Sequence, residues 1–146
     1  MKHYDFRLNG QVVGTFELSE KPGWIHQTAT FIVDGVEQVN RYAVRLDQQV
    51  PLSARGSGGE WWEVPTGAYP SAAWPLVLRL GLREFPQLDE GSGEVRPAEL
   101  HLEAGLLVEY VAGKPNRKFQ VAEDGRVSYI HWGGDAESFL LEPDEE

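Results

Sequence analysis

The chain repeats one cadence: a short run of alternating apolar and polar residues, a tight turn, then another alternating run. Tyr4, Phe6 and Leu8 share one parity, Asn9-Gly10 follows, and Val12, Phe16 and Leu18 share one parity again. A type I′ turn needs positive φ at both central residues, and Asn-Gly supplies it at little steric cost. Asp34-Gly35 and Asp124-Gly125 repeat the device. Alternation of period two sends successive side chains to opposite faces of a strand. The pattern therefore demands antiparallel pairing of sequence neighbours and leaves little room for helices.

Read along the chain, strands are expected over 2–8, 11–18 and 24–33, with Ile25, Gln27, Ala29, Phe31 and Val33 as the core face of the third. A fourth strand ends with Tyr42, Val44 and Leu46 on one side, and a fifth over 48–54 carries Pro51, which favours an edge, a bulge or a strand start. Glu60-Trp61-Trp62-Glu63-Val64 reads as a short strand, followed by an irregular stretch from Pro65 to Pro75. Leu76-Val77-Leu78-Arg79-Leu80 fits a buried strand or a short helix, because its periodicity does not decide between them. In the second half, Leu100 and Leu102 oppose Glu99, His101 and Glu103, and Leu106, Val108, Tyr110 and Ala112 form the next apolar face. Phe119 and Val121 lead into the Asp124-Gly125 turn, Ile130 and Trp132 oppose Val127, Tyr129 and His131, and a last strand covers 136–141.

About ten strands with at most one short helix, near 71–82, predict an all-β fold. The expected architecture is a long antiparallel meander curled into a barrel or half-barrel, which manages the edges of so long a sheet. It forms a single domain over 1–141, with an acidic frayed tail at 142–146. The cadence on either side of the central stretch admits a two-half duplication, about 1–64 and 76–141. Strands three and four carry large side chains on both faces, so their second face is expected to meet a ligand or another subunit.

Composition narrows the chemistry. The absence of cysteine excludes disulfides, thiolate metal sites and cysteine nucleophiles. A net charge of −10 without a basic stripe argues against nucleic acid as a partner. No apolar run approaches the ~18 residues of a membrane span. With no apolar leader after Met1, the expectation is a soluble, cytoplasmic protein.

Catalytic patterns are missing. His3, His26, His101 and His131 show no metal-binding spacing, and neither Ser57 nor Ser92 has the glycine two positions before it that a nucleophile elbow requires. The loops Gly56-Ser57-Gly58-Gly59 and Gly91-Ser92-Gly93 match no phosphate- or dinucleotide-binding fingerprint. Glu60 and Glu63 point to opposite faces of a strand and so cannot straddle one glycosidic bond. Neither a cofactor nor a metal is expected. The adjacent Trp61 and Trp62 also point to opposite faces, one into the core and one toward a ligand, a dimer contact or a covering loop. Arg79 interrupts an apolar run and needs a partner: a wet strand face, an ion pair, or the phosphate or carboxylate head of a ligand. Arg41 and Arg45 invite the same choice.

Two stretches resemble the glycolipid-binding family of bacterial proteins. Tyr69-Pro70-Ser71-Ala72-Ala73-Trp74-Pro75-Leu76-Val77-Leu78-Arg79-Leu80 is similar to that family's Thr-Pro-x-Thr-Asn-x-x-Pro-Ile-Arg-Arg-Leu segment in its two prolines and closing Arg-Leu. Asp124-Gly125-Arg126-Val127-Ser128-Tyr129 is similar to its late Asp-x-Gly-x-Val-x-x-Tyr strand, and Gly23-Trp24 before an extended strand also fits. Ser71, Ala72, Ala73 and Trp74 replace the family's Thr and Asn, and its preceding acidic segment is missing. The resemblance implies a curved antiparallel sheet that binds an amphiphile without catalysis.

The functional expectation is therefore non-enzymatic binding of a lipid-like or other apolar or amphiphilic small molecule on a concave sheet. Trp24, His26, Trp61, Trp62, Tyr69, Trp74 and Tyr129 are the candidate walls, and Arg79 the polar anchor. The alternatives are a carbohydrate-recognition module, with exposed tryptophans stacking on sugar rings, and a structural homodimer.

Overall fold

A computed structural model describes residues 2–48, 50–56, 59–90, 92–121, 127–134 and 136–141. The Asp124-Gly125 turn, the first residues of the second family-like motif and the acidic tail 142–146 lie outside the described residues. The fold is all-β. Its strands are β1 (Lys2–Leu8), β2 (Gln11–Lys21), β3 (Trp24–Val33), β4 (Val36–Arg45), β5 (Pro51–Arg55), β6 (Trp62–Glu63), β7 (Tyr69–Pro70), β8 (Glu84–Leu88), β9 (Val95–Glu103), β10 (Leu106–Val111), β11 (Lys114–Val121), β12 (Val127–Gly133) and β13 (Ala136–Leu141). One short helix, α1 (Trp74–Leu80), follows a 3-10 turn over Ser71–Ala73.

All thirteen strands form one sheet in the order β6-β5-β4-β3-β2-β1-β13-β12-β11-β10-β9-β8-β7. Written on a circle, this is the order of the sequence itself, cut once between β6 and β7. The first and last strands join antiparallel, Tyr4 opposite Leu140. Only residues 64–68 separate the two edge strands in the chain, a length that reaches about 20 Å at full extension. Val64 and Ala68 from this connection pack with Leu88 of β8 as a small core of their own. The sheet is thus a curled, unclosed meander whose open seam is crossed by its own chain. Among the described residues every strand pairing is antiparallel except that of β7 with β8.

The expected turns form as glycine-bearing hairpins: Asn9 and Gly10 take φ of 53° and 77°, and Asp34 and Gly35 take 51° and 76°. Two further turns, Ala104-Gly105 (51° and 82°) and Ala112-Gly113 (52° and 80°), place alanine where a Cβ is disfavoured.

The concave face does not hold a hollow. α1 lies inside the curl against β2, β3 and β7. It starts at Trp74-Pro75 and stops at Gly81, whose φ of 71° gives a left-handed cap. The Trp74 ring is 2% exposed. It meets Tyr4 edge-on at 4.8 Å, Phe16 at 5.4 Å, Phe119 at 5.9 Å and Trp132 at 6.3 Å. Phe6 joins Phe16, Phe31 and Trp132 around it. Two side chains from the sheet tie the turn that leads into α1: Gln27 Nε2 donates to the Ala72 carbonyl at 2.6 Å, and an Arg117 Nη1 donates to the Ser71 carbonyl at 2.8 Å.

Several expectations are corrected. The described residues form thirteen strands, not about ten; β8 escapes the sequence reading because Pro86 sits in its middle, opposite Pro97. The inward face of β10 is Leu107, Glu109 and Val111, not Leu106, Val108, Tyr110 and Ala112. Leu107 belongs to the main core, Val111 packs against it and Glu109 is buried. Leu46 and Leu102 lie beyond the core and are exposed. The outer face of β3 and β4 meets the chain's own loop: Arg41 donates to the carbonyls of Gly56 and Gly59, Trp61 is laid against His26, and the outward-facing Ala43 is fully buried.

Candidate functional site

One end of the curl opens into a cleft of about 440 Å³ lined by Ser71, Gln87, Asp89, Arg96, Val111, Lys114, Pro115, Asn116, Arg117 and Trp132. The residues come from the turn before α1, from β8 and the segment after it, and from β9 to β12. The cleft therefore lies where the internal helix meets the second half of the sheet.

Its floor is set by a bulge. Val108 pairs with Lys118 and Tyr110 with Pro115, so two residues of β11, Asn116 and Arg117, stand opposite Glu109 of β10. A bulge of this kind re-aims side chains. Here it lets neighbouring residues donate to one carboxylate. Arg117 Nε donates to Glu109 Oε1 at 2.7 Å and Nη2 to Oε2 at 2.6 Å. Asn116 Nδ2 adds a bond to Oε1 at 2.8 Å, and Gln87 Nε2 one to Oε2 at 3.0 Å. The guanidinium lies 4.7 Å from the centre of the Trp132 ring and 5.7 Å from that of Phe119.

Glu109 and Arg117 are 1% and 2% exposed at the side chain. Burial alone raises the Glu109 pKa, but the Arg117 charge and the bonds from Arg117, Asn116 and Gln87 outweigh it and hold the carboxyl below its ordinary value. The carboxylate is thus ionised at neutral pH and filled with donors. Three of the five guanidinium N–H groups are spent on Glu109 and Ser71, which leaves one on each Nη. Above this floor stand the exposed Lys114 and the half-buried Arg96, with Asp89 on the same wall.

The residues expected from sequence to form one site are dispersed. Trp74 and Tyr69 belong to the core; burial raises the Tyr69 pKa, and its ring meets Phe85 at 6.0 Å. Arg79 forms an exposed ion pair with Glu20 of β2. Tyr129 lies on the outer face, its ring 5.0 Å from Phe139 and its hydroxyl donating to Glu137 at 2.8 Å. Trp61 and Trp62 are 37% and 43% exposed, so neither enters the core.

Trp24, His26 and Trp61 do come together, on the convex face. Arg45 covers Trp24 at 4.6 Å, Trp24 and His26 are 5.8 Å apart, His26 and Trp61 6.0 Å, and Arg41 covers Trp61 at 4.8 Å. Desolvation lowers the His26 pKa, helped by the charges of Lys21 and Arg41. This ladder sets an arginine over each indole and clasps the 59–61 loop to the sheet. Among the described residues no helix is long and apolar enough to cross a membrane.

Sequence reasoning misses the cleft because Glu109 falls opposite the face given to Leu106, Val108, Tyr110 and Ala112, and Arg117 carries no motif. One signal was present: Arg117 shares the parity of Phe119 and Val121, an inward face. Comparison with protein-family models, with curated proteins and with solved structures gave no match. The likeness to the glycolipid-binding family rests on the quoted residues alone.

Proposed function

We propose that this chain is a non-enzymatic small-molecule binder whose ligand occupies the cleft above Glu109 and Arg117. The observation that carries the reading is the saturated ion pair on the cleft floor. A buried pair of this kind adds little stability over apolar residues of similar volume. What it does supply is orientation: it fixes the Gln87 and Asn116 amides and the Arg117 fork at the base of an open cavity. Binding sites require that kind of preorganisation. A volume of about 440 Å³ suits a metabolite-sized molecule. Val111, Pro115 and the partly exposed Trp132 offer an apolar wall for part of it.

Because α1 fills the concave face, an amphiphile would place its head in the cleft rather than lie along the sheet. The test is a panel of amphiphiles, sugars and polar metabolites followed by thermal denaturation and by the Trp132 indole resonance. A ligand that raises the melting temperature and shifts that resonance supports the reading. A panel that leaves both unchanged, or that perturbs only the Trp24–Trp61 ladder, contradicts it.

A further inference from the structure

Building on the cleft reading, we infer that the ligand's polar group is a single phosphate, presented as a phosphomonoester. In a chain of net charge −10 the cleft gathers three cations, Arg96, Lys114 and Arg117. Their donors are unequally engaged. Arg96 turns Nε and one Nη toward the exposed Glu94, at 2.8 and 2.6 Å. Arg117 retains one N–H on each Nη. Lys114 has no ion-pair partner among the described residues.

Glu109 neutralises Arg117, yet its four bonds occupy its acceptor sites, and Glu109 is not among the residues that line the cleft. An anion entering the cleft thus meets the solvent-reached donors of Arg96 on β9 and Lys114 on β11, above a floor that carries the buried Arg117 guanidinium and, from β8, the Gln87 amide. Convergence of three cationic side chains suits the three terminal oxygens of a phosphomonoester better than the two of a carboxylate. Asp89 also lines the cleft, so each further negative charge on a ligand adds repulsion there. This favours one phosphate per ligand, with the remainder of the molecule neutral.

The shared chemistry has three sources: free phosphate, a water-soluble phosphomonoester, and the head of a single-chain phospholipid. Calorimetric titration with inorganic phosphate, glycerol 3-phosphate and octanoylglycerol phosphate separates them, with glycerol and octanoylglycerol as neutral controls. The phosphate compounds are expected to bind and to shift the Trp132 indole resonance. Affinity should fall as salt rises from about 0.05 M to about 0.5 M. Lys114→Gln and Arg96→Gln, both changes at solvent-reached side chains, should each weaken binding about fivefold or more, as loss of a charge-assisted hydrogen bond does. Equal affinity for all three compounds marks free phosphate, a gain with the glycerol ester marks a soluble phosphomonoester, and a further gain with the octanoyl chain marks a lipid head.

Absence of phosphate binding, or binding that survives the Lys114→Gln/Arg96→Gln double variant unchanged, overturns the inference. If the neutral controls alone shift Trp132, the phosphate assignment fails while the cleft remains the site. If nothing in the set or the broader panel shifts Trp132, both fail.

Discussion

Glu109 and Arg117 meet as a two-point ion pair across β10 and β11, Nε to Oε1 at 2.7 Å and Nη2 to Oε2 at 2.6 Å, inside the curl of the sheet. Both side chains are almost wholly buried. Removing one partner strands the other, which costs about 3–5 kcal/mol, whereas replacing both by apolar residues of similar size is near neutral or stabilising. Arg117→Met should therefore lower the urea midpoint strongly. Glu109→Leu/Arg117→Met should recover most of the loss while abolishing ligand binding. A double variant as unstable as the single one would show that the pair is needed for folding itself.

The same pair makes stability depend on acid in a defined direction. The folded carboxyl titrates below the reference value of 4.5, so below that pH the unfolded chain binds more protons. The contribution is complete above pH 4.5 and is lost as pH falls through the folded pKa. Urea unfolding of the native chain and of Glu109→Gln from about pH 7 to about pH 3 checks this. The variant should start less stable and lose less on acidification, so that the two curves converge.

Trp74 anchors the helix that fills the curl. Trp74→Ala should cost about 3–5 kcal/mol through lost burial and the cavity left behind. Trp74→Phe should cost clearly less: it keeps an aromatic ring against Tyr4 and Phe16, and the indole Nε1 it removes is buried without a partner among the described residues. Chemical denaturation of the two variants gives the comparison.

Ala104 sits at φ 51° in the β9–β10 turn. Asparagine tolerates that conformation better, so Ala104→Asn should stabilise by about 0.5–1 kcal/mol and raise the melting temperature. An unchanged or lowered midpoint would argue against the turn's geometry.

Which features could be read from the sequence follows from how local their causes are. The Asn9-Gly10 and Asp34-Gly35 hairpins were legible because backbone conformation at two adjacent residues dictates them. The inward parity of β3 was legible because Ile25, Ala29 and Phe31 alternate with polar residues. β8 was not, since Pro86 breaks the strand pattern, and Pro97 opposite it becomes known only once the strands are paired. The periodicity of Leu76–Leu80 fits strand and helix alike, and the left-handed cap at Gly81 that ends the helix is a property of the folded backbone. The cleft was hidden for a different reason. A glutamate on β10 looks solvated until an arginine eight residues on is brought beneath the same roof, and the bulge that does so has no sequence signature of its own. Of the tryptophans, prominent in the composition, Trp74 packs the core, Trp61 lies against His26 at the attached loop, and Trp132 lines the cleft.

The most direct test of the central claim is a heteronuclear NMR titration of the full chain with glycerol 3-phosphate. The account predicts shifts confined to Ser71, Gln87, Arg96, the Lys114–Arg117 segment and the Trp132 indole, with Trp24 and Trp61 unmoved. Shifts centred on the Trp24–His26–Trp61 ladder, or none under binding conditions for the wider ligand panel, would contradict it.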